Sequence, residues 1–344
     1  MISGRAKRRN PFWGAGLILL LALILPLSVS SLCIGQAKEV NLLQSQIEKV
    51  IHRVDGVVGV AIKHLESGEE VKINGDTLFP MASTFKVPIM VEVFHQINEG
   101  KFGLDDEAEM TETDLHLGSG MLSSLQAPGI KLSIRNFITL MMIISDNSAA
   151  DFLLQKVGVD NVNHRMEALG LTDIHIDRTC HQLIMDYFGM DYQKYKDYTL
   201  KDLRELLRSY DYESPAADEA RALFNREAKD VCSPADMNSL LEKIFKAEML
   251  DRETCDLMLQ IMLRCQTGEK RLRGILPRGT RVAHKTGTIV TTVNDCGIIY
   301  LPDNRGHIVI TVFSKEVEDE TADMEKVIAE VARFAFDYFY FHGD

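Results

Sequence analysis

Strand-forming patterns occur near the two ends of this chain and leave a long helical stretch between them, a distribution that restricts the fold more than any other feature. "GVVGVAIKHL" and "GEEVKINGDTLF" read as two strands joined at the Ser67–Gly68 turn. "TRVAHKTG", "NDCGIIYL" and "HIVITVFS" read as three more, with "PDNRG" as the turn between the last two. Helical periodicity fills the interval, at 84–98, 133–144, 148–157, 160–169, 199–210, 235–247 and 251–264, and recurs outside it at 39–54 and 320–339. A sheet assembled from both ends carries the middle as an insertion, and the terminal helices are free to cover one of its faces. The expected class is α+β, an antiparallel sheet covered by terminal helices with an inserted all-helical domain. The sheet part comprises about 38–80 and 275–344, and the helical part about 81–274.

At 344 residues and 46% hydrophobic content the chain has enough apolar material for a full core. The net charge is −12, and the first 37 residues bring Arg5, Lys7, Arg8 and Arg9 without an acid, leaving −16 on the remainder. That balance excludes nucleic acid as a partner, because phosphates demand basic patches. Residues 12–34 carry no charge and follow the basic cluster, the layout of an export signal. Residues 1–37 are expected to be a signal peptide cut after Ala37, or else a membrane anchor through 12–34 with its basic end in the cytoplasm. Either way residues 38–344 form the exported domain, periplasmic or extracellular. Cys180, Cys232, Cys255, Cys265 and Cys296 lie beyond this segment, and an odd number leaves at least one unpaired. No C-x-x-C or H-x-x-x-H grouping occurs, so neither a metal nor another cofactor is expected.

The chemistry concentrates in three short motifs. In "STFK", Ser83 precedes Lys86 by three positions, so a helix starting there sets both on one face. A serine attacks a carbonyl only with a proton acceptor beside it, and a desolvated lysine can serve. "SDN" occurs once, at Ser145, Asp146 and Asn147, where a predicted helix ends, and "KTG" once, at Lys285, Thr286 and Gly287, in a predicted strand. In this order the three motifs resemble those of class A serine β-lactamases and the related penicillin-binding proteins, and the order of helices and strands agrees over most of 40–340. The resemblance implies that Ser83 is the nucleophile, Lys86 its proton partner, and Ser145 the relay to the leaving nitrogen. It implies that Asn147 holds the substrate's amide side chain and that Lys285 and Thr286 bind its carboxylate. The backbone N–H groups of Ser83 and Thr288 would form the oxyanion hole, and Gly287 would let the substrate backbone approach. Asp146 reads as a buried residue that holds its turn.

The chain departs from the family's R-x-E-x-x-L-N loop, which carries the deacylating glutamate. Here the stretch is "DRTCHQLIM": Arg178 matches, but Cys180 replaces the glutamate and Ile184 the asparagine. "DVCSPADM" resembles the exit of that loop, which makes Asp230 the expected ion-pair partner of Arg178 and 179–229 an enlarged loop. "YTLKDLRELLRSY" within it reads as an extra amphipathic helix, and Glu219 and Glu227 are its candidate substitute acids, against their reading as solvated helix residues. A Cys180–Cys232 bridge is not expected, since closure at Arg178 and Asp230 sends the two cysteines apart. Arg271, fourteen residues before Lys285, stands where some family members place a carboxylate-binding arginine. His284 alternates to the opposite strand face and is expected to pack in the core. The expected activity is opening of β-lactam amides through an acyl-enzyme on Ser83. The alternatives are a penicillin-binding or D,D-peptidase-like enzyme or slow esterase acting on peptidoglycan-derived substrates, and a noncatalytic binding domain on the same fold.

Overall fold

A computed structural model describes residues 42–342 together with Met1. The expected signal or anchor segment therefore lies outside the described residues, apart from Met1. Five strands, β1 (Val57–His64), β2 (Glu70–Ile73), β3 (Arg281–Ile289), β4 (Thr292–Tyr300) and β5 (His307–Lys315), form one sheet. Their order is β2-β1-β5-β4-β3, and every pairing is antiparallel. The strands read from the two ends of the sequence thus meet in one layer, with β5 joining them.

Both faces of the sheet are buried, and strand alternation assigns the side chains to two cores. Ile308, Ile310 and Val312 of β5 pack with Leu43 and Ile47 of the 42–51 helix and with Ile328 and Phe336 of the helix Thr321–His342. Val309 and Phe313, one residue out of phase, join Leu240 and Ile244 of the helix Pro234–Lys246 in the other core. This is why "HIVITVFS" is an almost unbroken apolar run. Among the described residues no helix is long and apolar enough to cross a membrane.

The inserted region is mainly helical rather than all-helical, since Glu107–Glu109 pairs with Lys131–Ser133 as a small two-stranded sheet, and several of its helices start at side-chain caps. Asp146 accepts from Ala149 N at 3.0 Å, and Ser233 accepts from Asp236 N at 3.2 Å with Pro234 in the first turn. The enlarged loop contains more helix than its one amphipathic segment led us to expect. Cys180–Tyr187, Tyr192–Tyr195, Leu200–Arg208 and Pro215–Arg226 are capped by Thr179, Asp191, Thr199 and Ser214. Leu200–Arg208 buries Leu200 and Leu203, and the rings of Phe188, Tyr210 and Tyr212 meet edge to face with centroids 5.0 to 5.8 Å apart.

The neck of that loop closes as expected. Arg178 Nε donates to Asp230 Oδ2 at 2.7 Å, and Asp230 Oδ1 accepts the amides of Asp177 and Arg178 at 2.8 and 3.0 Å. Asp230 O accepts Met81 N at 2.8 Å, and Phe79–Pro80 pairs with Val231–Cys232. The loop is thereby fastened to the segment leading into Ser83. Cys180 and Cys232 are both free, as are Cys255, Cys265 and Cys296.

Candidate active site

Ser83 is the one residue between Met81 and Gln96 that is not buried. It sits in a 3₁₀ turn, Ala82–Phe85, and the α-helix proper begins at Lys86. The helix therefore starts three residues later than the motif spacing implies. Ala82, just before the serine, has φ of 45°, a left-handed conformation costly for a residue with a Cβ. Thr84 N and Oγ1 both bond back to Met81 O, at 3.1 and 2.7 Å, and hold this turn shut.

Lys86 is fully buried and its ammonium is committed to the S-D-N segment rather than to Ser83. It donates to Ser145 O at 2.7 Å, Asn147 Oδ1 at 2.8 Å and Ser145 Oγ at 3.2 Å. Burial lowers its proton affinity, against the pull of Cys180, Asp151 and Asp146. Lys285, also fully buried, donates to Ser145 Oγ at 3.0 Å and Thr286 O at 2.7 Å. Burial and the nearby Lys86 charge bring Lys285 down to about 7. Ser145 thus accepts from two lysines, which occupies both lone pairs of its hydroxyl and leaves its proton to point elsewhere. A hydroxyl in that state is a donor to whatever lies in the cleft.

The backbone around these groups is shaped to match. Ser145 has φ of 59°. Asp146 receives the amides of Met121 and Leu122 at 2.7 and 2.9 Å, so it holds its turn as expected. Asn147 Nδ2 donates to Leu117 O at 2.9 Å. Strand β3 is the sheet edge that faces Ser83, and Gly287 is where the two touch. A Cβ on Gly287 would lie 2.6 Å from Met81 O and 3.1 Å from Ser83 N. The glycine therefore admits the nucleophile's own backbone. The edge strand leaves peptide groups free for a ligand lying along it.

Thr286 Oγ1 lies 2.6 Å from Thr267 Oγ1, and Thr288 is exposed on the cleft side. Arg271 is buried beside β3, where it donates to Gly287 O and Asn294 O at 2.9 Å each and to Thr288 Oγ1 at 2.7 Å. Its Nε reaches Glu325 at 3.1 Å. The structure places Arg271 at this end of the site but turns its guanidinium to the strand, so its reach into the cleft runs through Thr288.

Above Ser83 opens a cavity of about 430 Å³. Ser83, Ser119, Asn147 and Thr288 form its polar end, and Leu183, Ile184, Tyr187 and Leu207 form apolar walls that belong to the enlarged loop. Among the described residues no Asp or Glu lines it. Glu219 is exposed, and Glu227 sits at the loop's neck with Lys229 at 2.8 Å and Arg178 at 3.7 Å, so neither stands over Ser83. Cys180 does line the cavity, but burial and the Asp151 carboxylate push its thiol well above the usual range, so it is no base.

Two residues escaped sequence reasoning. Ser119 donates to Ser145 O at 2.6 Å and to Asn147 Oδ1 at 3.2 Å, and nothing in "HLGSGML" announces it. Asp151, fully buried, accepts Cys180 N at 2.6 Å, His181 N at 2.9 Å and the His116 ring at 2.7 Å. It anchors the start of the enlarged loop to the S-D-N helix. A charged residue four positions after Asn147, on that helix's buried face, was the available signal.

Comparisons with known proteins agree with this geometry. The family model described as "Beta-lactamase enzyme family" matches residues 42–339. Beta-lactamase VEB-1 of Pseudomonas aeruginosa is 29% identical over 307 residues, covering 86% of this chain and 90% of that protein. Extended-spectrum beta-lactamase PER-1 of the same organism is 26% identical over 307 residues, covering 86% and 87%. The crystal structure of a beta-lactamase from Chitinophaga pinensis superposes with a TM-score of 0.70 at 28% identity, over 86% of this chain and 98% of that one. That of the TLA-1 extended-spectrum beta-lactamase gives a TM-score of 0.72 at 26% identity, over 87% and 99%. With the S-x-x-K, S-D-N and K-T-G residues gathered around one cleft and a family match spanning nearly every described residue, the chain belongs to the β-lactamase enzyme family and is a β-lactam hydrolase.

Proposed function

We propose that the chain opens β-lactam amides through an acyl-enzyme on Ser83 and that release of the acyl group is its slow step. The observation that carries the second part is the cavity over Ser83, which no carboxylate among the described residues lines. For acylation, Lys86 in its neutral form takes the Ser83 proton, and desolvation favours that form. The oxygen of the opening ring is received by the amides of Ser83 and Thr288. Ser145, with both lone pairs held by lysines, gives its proton to the leaving nitrogen and regains one through Lys86 or Lys285. Lys285, Thr286 and, through Thr288, Arg271 bind the substrate carboxylate, and Asn147 holds the acyl amide. Deacylation then falls to Lys86, which must activate water from a position already spent on three acceptors.

The test is intact-protein mass spectrometry after mixing with benzylpenicillin, with Ser83→Ala as control. A Ser83 adduct that forms quickly and decays slowly while hydrolysed drug accumulates is expected. No adduct overturns the acyl-enzyme reading. The carboxylate-free cavity also favours a second reading, a penicillin-binding or D,D-peptidase-like enzyme acting on peptidoglycan stem peptides. An adduct that never decays, together with turnover of a D-alanyl-D-alanine peptide, would establish it. The basic cluster followed by the uncharged segment 12–34 supports export, and whether 12–34 remains as an anchor is read by fractionating the full chain.

A further inference from the structure

Two helices of the enlarged loop reach the cavity over Ser83. Cys180–Tyr187 brings Leu183, Ile184 and Tyr187 to it, with Phe188 directly after, and Leu200–Arg208 brings Leu207. Leu207 follows the buried Leu200 and Leu203 at helical spacing, so one apolar stripe runs from the packed face of this helix into the cavity. The helix is held over the cleft by Arg204, which donates to Ser123 O at 2.9 Å. The rings beside it are braced. Tyr187 meets Phe188 and Phe224 edge to face with centroids 5.1 and 5.7 Å apart, and Tyr210 Oη donates to Phe188 O at 2.9 Å. Arg178 of the loop neck stacks over Phe224 at 5.1 Å, which carries the bracing back to the closed end of the loop. The wall also begins beside the residue assigned to the substrate amide. A Cβ built on Gly118 would meet Asn147 Nδ2 on one side and Ile184 Cδ1, at 3.4 Å, on the other.

We propose that Leu207 of the inserted helix is a specificity-determining residue, and that the wall it completes selects β-lactams with uncharged, apolar acyl side chains against anionic ones of equal length. The proposal rests on the Ser83 acyl-enzyme reading and on the role given there to Asn147. With the acyl amide at Asn147, a side chain that continues past Ile184 runs along Tyr187 and Leu207. An alkyl or aryl tail covers apolar surface as it enters, and its contribution grows with the area removed from water. Because the rings are already packed against one another, little ordering has to accompany that contact. A terminal carboxylate in the same space loses hydration and finds no Lys or Arg among the described residues that line the cavity. The polar groups, Ser83, Ser119, Asn147 and Thr288, are gathered at the other end. Discrimination therefore comes from the inserted helix as much as from the motif residues.

The experiment measures the second-order rate of Ser83 acylation in the full chain by quenched-flow mass spectrometry, using the hexanoyl and adipoyl amides of the penicillin nucleus. These two side chains have the same number of carbons and differ in a terminal methyl against a terminal carboxylate. Wild type is expected to react about tenfold faster with the hexanoyl compound. Leu207→Lys places a cation in the wall and is expected to lower that ratio about tenfold, mainly by speeding the adipoyl compound. Leu207→Ala is expected to slow the hexanoyl compound severalfold without speeding the adipoyl one, a contrast that a merely structural role for Leu207 does not produce. Equal wild-type rates for the two compounds overturn the apolar subsite. A wild-type preference that Leu207→Lys leaves unchanged overturns the assignment of Leu207. Absence of a Ser83 adduct with both compounds overturns the acyl-enzyme reading and this subsite with it, so the two failures are told apart. Leu207 is only half-buried, and the wild-type comparison decides the subsite even if a variant fails to fold.

Discussion

Gly287→Ala tests how tightly edge strand β3 sets the nucleophile. The new methyl would stand 2.6 Å from Met81 O, about 0.8 Å inside the 3.4 Å at which ordinary contact begins, and also 3.1 Å from both Ala82 Cβ and Ser83 N. Two of these three neighbours are backbone, so no flexible side chain can yield. Met81 is additionally pinned by its amide to Asp230 O at 2.8 Å and by Thr84 to its carbonyl at 2.7 Å. Relief must come from moving β3 and the Ser83 turn apart by most of that 0.8 Å. A displacement of about 1 Å in a catalytic arrangement costs roughly 10²-fold in rate, and overpacking costs about 1–3 kcal/mol in stability. We expect the acylation rate constant, measured by quenched-flow mass spectrometry with benzylpenicillin, to fall about 100-fold while the fold persists with a Tm lower by several degrees. An acylation rate within about threefold of wild type, with an unshifted Tm, would refute the claim that this contact positions Ser83.

Two further outcomes follow from the charges. Lys285 sits at about 7, so in the free enzyme it is a cation below that pH and neutral above it. The kcat/KM for a carboxylate-bearing β-lactam is expected to fall as pH rises through about 7, while a neutral ester, measured over the same range, lacks that limb. At the loop neck, Arg178→Ala leaves Asp230 buried without its cation, and burial already holds that carboxyl above its usual range. A loss of about 3–5 kcal/mol in urea unfolding is expected, and a loss under 1 kcal/mol would contradict a closed neck.

The legible parts of this protein were those encoded locally. Five strands and the long helices could be read because alternation and periodicity leave marks in short windows, whereas the Arg178–Asp230 closure, between residues far apart in the chain, was expected only from the family resemblance. Helices in the enlarged loop were under-read because Tyr192–Tyr195 has four residues and Cys180–Tyr187 eight, too short for a period to show. The catalytic motifs named Lys86 and Ser145, but not that both lysines share the Ser145 hydroxyl, a fact created by strands and helices 140 residues apart. Asp151 and Ser119 were missed for the same reason: what they do depends on which segment the fold lays beside them. Arg271 was found by its spacing, yet its hydrogen bonds to Gly287, Asn294 and Thr288 give it a buttressing role that spacing does not reveal.

The strand order has a consequence for synthesis. Strand β3, which carries Lys285, Thr286 and Gly287, reaches β1 only through β4 and β5, and β5 is made after all the others. A growing chain can complete its helices around Ser83 long before β3 is joined through a continuous sheet to β1. The cleft is therefore assembled in the last act of folding, once the segment His307–Lys315 has slotted between β1 and β4. A polypeptide cut off before that point carries its nucleophile, its lysines and all three motifs, and still has no active site.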